Sequence, residues 1–116
     1  MRAFKISSRI VLAMTIVLNV VALSANATPT DTPAGNITML AGGWTTPDLR
    51  IALDIPFQNP AGCSLTDGYI VPSTLAGNQL LSSLAITAYS MHKQVKLTID
   101  GCYLNRPQVI SVIVDP

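Results

Sequence analysis

The stretch "MHKQVKLTIDGCYLNRPQVISVIVD", residues 91–115, decides the fold. Val95, Leu97 and Ile99 alternate with Lys96, Thr98 and Asp100, and a period of two with one apolar side is the pattern of a half-buried strand. Gly101-Cys102 ends that strand, and "YLNRPQ" bridges residues 103–108. The run "VISVIV" at 109–114 is apolar nearly throughout, so it reads as a central strand. The end of a helix therefore feeds two consecutive strands, with a cysteine at the turn.

Upstream, the spacing predicts a helix over about 75–92. Leu80, Leu81, Leu84, Ala85, Ala88 and Met91 fall on one apolar stripe. Pro72 closes the preceding segment, and Ser73 or Thr74 can cap the helix. Gly77 weakens its first turn by about 1 kcal/mol relative to Ala. His92 and Lys93 lie at its C-terminal end, where cations suit the helix dipole. The opposite face carries Gln79, Ser82, Ser83, Thr87 and Ser90, all uncharged. Small neutral side chains let another backbone approach closely, which makes these five residues interface candidates. A merely neutral face in a chain that is 11% charged is the other reading.

Before the helix, "YIVP" at 69–72 is a short strand, and "PFQNPAGCSLTDG" at 56–68 is loop chemistry with an Asp67-Gly68 turn signal. The octet "DLRIALDI" at 48–55 points Leu49, Ile51, Leu53 and Ile55 one way, and Pro47 and Pro56 bracket it as strand breakers. In "NITMLAGGW" at 36–44, Ile37, Met39 and Ala41 alternate before a Gly42-Gly43 break and Trp44. The segment "TPTDTPAG" at 28–35 has two prolines, a glycine and no large apolar side chain, and is expected to be a flexible leader. The order strand, strand, strand, helix, strand, strand is a β-rich α+β string. It is the element order of the OB-fold, a small five-stranded Greek-key barrel that binds oligonucleotides and oligosaccharides. A helix on a five-stranded open sheet fits the same string.

The N-terminus reads as an address. Arg2, Lys5 and Arg9 precede a 14-residue apolar run at 10–23 broken only by Thr15 and Asn19, and Ala25-Asn26-Ala27 supplies small residues for cleavage before Thr28. Residues 1–27 are therefore an expected signal peptide, the run being short for the ~20 residues of a membrane span. Without it, the domain 36–116 and its leader hold no membrane-spanning segment, and the chain is expected in the periplasm or outside the cell. Removing 27 of 116 residues leaves 89, enough for one small domain. Three of the seven basic residues leave with that segment, so four face six Asp, formally −2. That balance argues against nucleic acid, whose phosphates demand a positive face.

Cys63 and Cys102 are the two cysteines, and in an oxidising compartment they are expected to form one disulfide. With a single His and no second Cys pair, neither a metal site nor a cofactor is expected. No Ser lies in a G-x-S-x-G elbow, and the Asp residues show no metal-loop spacing, so the chain is not expected to be an enzyme. Binding residues are easier to nominate. Trp44 follows two glycines in a turn region, where it either fills the core or presents an amphipathic ring for sugar stacking. Tyr103, Asn105 and Arg106 form a second polar-aromatic group, or else a solvated hairpin tip.

The strings "NQLLSSLAITAYSMHKQVKLTIDGC" and "RPQVISVIVD" together resemble small exported bacterial proteins in which a helix runs into a V-x-L-x-I strand, a Gly-Cys and a final apolar strand. The layout is similar to the OB-fold binding subunits of bacterial AB toxins of the subtilase and pertussis type. There a comparable helix precedes a strand and a disulfide braces the barrel. The resemblance covers roughly residues 37–115 and rests on pattern, and no glycan-contact motif carries over residue by residue. It implies a glycan-binding, non-enzymatic protein that forms homo-oligomers as rings of five. The other function class compatible with the sequence is a protein-binding module, such as an inhibitor or envelope accessory factor, using the helix face or the loop from Pro56 to Asp67.

Overall fold

The computed structural model describes residues 28–43 and 45–115. The expected signal peptide, residues 1–27, lies outside the described residues, as does Trp44. The described chain is β-rich with one helix: β1 (Thr30–Asp31), β2 (Ile37–Gly43), β3 (Thr46–Leu53), β4 (Tyr69–Val71), α1 (Asn78–Ser90), β5 (Val95–Tyr103) and β6 (Arg106–Val114). The strands form one six-stranded mixed sheet in the order β1-β5-β6-β4-β3-β2. All neighbours are antiparallel except β4 and β6, which run parallel with Ile70 opposite Gln108. No helix among the described residues is long and apolar enough to cross a membrane.

The count of six strands corrects the expected five, and the extra one lies in the segment expected to be a flexible leader. Its side chains are too small to bury much apolar area, but they tie the backbone down with hydrogen bonds. Thr30 and Asp31 pair with Ile99 and Thr98. The Thr98 hydroxyl donates to Asp31 Oδ1 at 2.6 Å. Thr32 is buried, its N–H donating to the Leu97 carbonyl at 2.8 Å and its Oγ1 accepting from the Leu97 N–H at 3.0 Å. Gly35 then exchanges both backbone hydrogen bonds with Val95, at 3.0 and 2.9 Å. The N-terminal segment thus pairs with β5 through its first half and with β3 through its second.

Pro47, expected to precede the third segment as a breaker, lies inside β3. A register shift between Gly42 and Gly43 accommodates it, so the N–H it lacks interrupts no regular pairing.

The helix spans 13 residues, shorter than expected at both ends. Ser73 does not cap it, because the helix begins only at Asn78; the Ser73 N–H donates to Asp48 Oδ1 at 2.6 Å. The N-cap is Gly77, without a side-chain cap. At the other end His92 adopts φ 54°, outside the helix. The His92 N–H reaches the Tyr89 carbonyl at 3.3 Å and the Lys93 N–H reaches Ala88 at 2.9 Å. Those two bonds are the Schellman stop, with His92 where glycine usually sits. The face that enters the core is Leu81, Ala85 and Ala88. Leu80 and Met91, expected on the same stripe, are 64% and 61% exposed. At about 100° per residue, Leu80 is a full step round from Leu81, and Met91 follows the last helical residue as its C-cap.

Leu81, Ala85 and Ala88 meet Ile37, Ile51, Tyr69, Val71, Val95, Leu97, Ile99, Val109 and Val112 in one core. The alternating residues of β5 therefore face inward as their pattern demands. The Cys63–Cys102 disulfide ties the loop before β4 to the end of β5, with a Cα–Cα distance of 5.8 Å.

Candidate functional site

The outer face of the sheet, away from the helix, carries the strongest candidate. Register places Ala41, Arg50 and Ile70 in one row across β2, β3 and β4. Successive side chains on a strand alternate faces, so Arg50 points outward while its neighbours Leu49 and Ile51 pack into the core or against it. Ile70 is buried yet absent from the core cluster, as its position opposite the outward Arg50 requires. Arg106, the first residue of β6, stands two residues before Gln108, the partner of Ile70, on the same face of the sheet, and its side chain reaches the row. With Gly42 and Gly43 these residues line a concavity of about 400 Å³. Such a volume falls within the ~300–1,000 Å³ of small-molecule sites. Ala41 and the two glycines contribute almost no side chain, which is why a hollow exists there.

Asp67 organises the two arginines. Arg106 grips it in a fork, Nε to Oδ1 at 2.6 Å and Nη2 to Oδ2 at 3.0 Å, and Arg50 Nη1 donates to Oδ2 at 2.7 Å. The Arg106 hydrogen bond is the main reason that the Asp67 carboxyl lies below its ordinary pKa, with burial opposing and the charges of Arg106 and Arg50 adding to the lowering. The same contact stabilises the charged guanidinium of Arg106. The side chain of Asp67 is 48% exposed, and exposed ion pairs contribute only about 0–1 kcal/mol. Orientation of the guanidiniums, rather than stability, is what this cluster supplies.

The loop that presents Asp67 is itself well anchored. Asn59 closes a turn onto Cys63, accepting its N–H at 2.7 Å and donating Nδ2 to its carbonyl at 2.8 Å. The disulfide and a 2.9 Å bond from the Leu65 N–H to the Asn105 carbonyl hold the loop against the β5–β6 hairpin. Gly68 is required beside Asp67: at φ 139° a Cβ there would lie 2.9 Å from the Ile51 carbonyl oxygen.

A second, smaller hollow of about 260 Å³, which shares no lining residue with the first, is walled by Ala52, Leu53, Ile55, Phe57 and Tyr69, with Thr66, Asp67 and Gly68. Phe57 stacks on Tyr69 with ring centroids 4.9 Å apart. The Tyr69 hydroxyl accepts from the Gln58 N–H at 2.9 Å, and burial raises its pKa.

The nominated residues separate. Arg106 enters the groove. Asn105, at φ 62°, forms the two-residue hairpin turn with Leu104 and is exposed. Tyr103 pairs with Arg106 across that turn and is half-buried, outside the lining of the groove. Asp48 is 8% exposed and accepts from the Thr46 hydroxyl and the Ser73 N–H, both at 2.6 Å. Burial raises its pKa, but the hydrogen bonds from Thr46, Ser73 and Tyr103 together outweigh that and lower it. Of the helix positions, Gln79, Ser83, Thr87 and Ser90 are exposed and Ser82 is half-buried. The Ser83 and Ser90 hydroxyls donate back to the carbonyls of Gln79 and Ile86.

Arg50 is not among the residues expected from sequence, and Asp67 enters there only as the end of the loop 56–67. The only available signals were an outward Arg in an otherwise apolar strand and an Asp-Gly turn, and neither says that loop and strand meet. Among the described residues no group of three or more His, Cys, Asp or Glu is placed to hold a metal ion. Comparison with protein-family models, with curated proteins and with solved structures finds no match to this chain.

Proposed function

We propose that this protein is an exported, non-enzymatic binding protein with an OB-like barrel that recognises carbohydrate in the groove at Gly42, Arg50 and Arg106. Leaving out the short β1, the strands run β2-β3-β4-β6-β5, and the parallel β4–β6 pair with a helix before β5 fits a Greek-key barrel. The double hydrogen bond between Gly35 and Val95 supports closure of that barrel. OB-folds bind oligosaccharides and oligonucleotides on the face of their second and third strands, between the loop after the first strand and the loop after the fourth. The observation that carries the proposal is the groove's position on that face, formed by β3, β4, the β2–β3 turn and the start of β6. Export is supported by the Cys63–Cys102 disulfide, which persists in oxidising compartments.

A glycan array probed with the oxidised, secreted protein tests this reading. Binding to a defined glycan set, abolished by Ala41→Phe, which fills the groove, is the expected result. An array without binding, or binding indifferent to that substitution, rejects it.

A protein-interaction module acting on an envelope protein, or a homo-oligomer, is the second reading. It is favoured by α1, where Leu80, Ile86, Tyr89 and Met91 are all about half exposed or more. Light scattering on the purified protein distinguishes the cases. A concentration-dependent mass that falls to the monomer in a Leu80→Ser/Met91→Ser variant supports the oligomer, and a strict monomer removes it.

A further inference from the structure

The second hollow carries an inference that goes beyond the carbohydrate reading and does not depend on it. We infer that this hollow is a separate site for a small neutral aromatic molecule, a single ring bearing one carbonyl oxygen. The ring packs against Phe57, and its oxygen accepts from the Tyr69 hydroxyl.

The apolar wall is the first argument. Leu53, Ile55 and Phe57 are large apolar side chains left half-buried, and all three line the same hollow with Ala52 and Tyr69. Phe57 is held in place by its stack on Tyr69, with ring centroids 4.9 Å apart, and Leu53 and Phe57 both pack against the core. The wall is therefore formed before any ligand arrives. Its volume of about 260 Å³ exceeds the ~150 Å³ of an apolar cavity that binds benzene. It falls short of the ~300–1,000 Å³ of drug-sized sites. One substituted ring is the size that fits.

The polar groups are the second. Tyr69 is 1% exposed and lines the hollow. Its oxygen accepts from the Gln58 N–H at 2.9 Å, and among the described residues its hydroxyl hydrogen has no acceptor. A buried hydroxyl with a donor to spare favours a ligand oxygen. Asp67 also lines the hollow, but guanidinium hydrogen bonds from Arg50 and Arg106 occupy both its oxygens. Neither arginine lines this hollow. An anion would face that carboxylate without a counterion of its own. A cation would shed water against apolar walls to reach a carboxylate already paired. A neutral ligand avoids both costs.

The test is NMR titration of the full secreted, disulfide-bonded protein with probes of similar size. Acetophenone is the fitting one. Ethylbenzene lacks the oxygen, cyclohexyl methyl ketone lacks the aromatic ring, and benzoate is an anion. Acetophenone should shift the Leu53, Ile55, Phe57 and Gly68 amides, leave Gly42 and Gly43 unmoved, and act at concentrations several-fold below the others, as expected for one added hydrogen bond. Tyr69→Phe keeps the ring and removes the donor, so acetophenone and ethylbenzene should then act alike. Ala52→Leu, which narrows the hollow and leaves the Tyr69–Gln58 bond in place, should abolish the shifts. Both variants are checked for folding by circular dichroism; should Tyr69→Phe not fold, Ala52→Leu and the probe comparison decide. Any of the other probes matching acetophenone on the wild-type protein overturns the inference. So do a preference that survives Tyr69→Phe, shifts that survive Ala52→Leu, and an absence of shifts at millimolar acetophenone. None of these results bears on the glycan array, which tests the groove at Arg50 by itself.

Discussion

Asp48 sets the terms at the residue scale. A carboxylate buried on the outer face of β3 survives because the Thr46 hydroxyl and the Ser73 N–H point at it, so removing the acceptor strands donors rather than merely deleting a contact. Asp48→Ala should destabilise by about 2–3 kcal/mol, read from urea midpoints. The pH dependence follows from the same bonds. Asp48 and Asp67 both titrate below the ordinary 3.8 in the folded state, so the unfolded chain binds protons first as pH falls. Their contribution to stability is complete above that ordinary value and is lost as pH drops through the depressed folded values. Thermal melts should therefore show stability level above about pH 5 and falling from about pH 4 downward, with a shallower fall in Asp48→Asn.

Two elements owe their ends to single residues. The N-terminal strand is held by Thr32, whose hydroxyl stands in for a backbone carbonyl in accepting the Leu97 N–H. Thr32→Val keeps the shape and removes the acceptor, leaving a buried N–H unpaired. A loss of about 1–3 kcal/mol is expected, with faster hydrogen exchange at Leu97 as the local signature. The helix stop depends on His92 in the left-handed region. A side chain there costs energy that glycine does not. His92→Gly should keep or raise the melting temperature, while His92→Val should lower it, since β-branching makes positive φ harder to reach.

Across the whole molecule the disulfide closes a 39-residue separation and links the Asp67 loop to the β5–β6 hairpin. In the chain-entropy account such a loop contributes about 4 kcal/mol, a large part of the ~5–15 kcal/mol that a domain has in total. Reduction, or a double Cys→Ala variant, should lower the unfolding free energy by about that amount. It should also loosen the groove under conditions where the protein remains folded, read as a changed Arg106 Nε–H resonance, because Asp67 then loses its fixed position against Arg106. Alkylation of both thiols in protein recovered without reductant would contradict the bonded state.

Local chemistry made the β5–β6 hairpin, β3 and the helix legible in the sequence, because period-two and helical patterns are properties of consecutive residues. Cys63 and Cys102 were legible as a pair for a simpler reason: there are two of them. The strand at Thr30–Asp31 was not, since its stability comes from hydrogen bonds to a partner 67 residues away rather than from its own side chains. Nor was the narrow buried face of α1, from which Leu80 is turned by about 100° relative to Leu81 and after which Met91 stands as the C-cap. Arg106 could be nominated from a hairpin, but its partners Arg50 and Asp67 come from a strand and a loop that only the tertiary fold brings together. Hydrophobic periodicity thus determined which segments become strands and helix. Sheet register and the tethering of one loop decided that two guanidiniums share one carboxylate beside a hollow, because Coulomb and hydrogen-bond energies depend on distance in space and not along the chain.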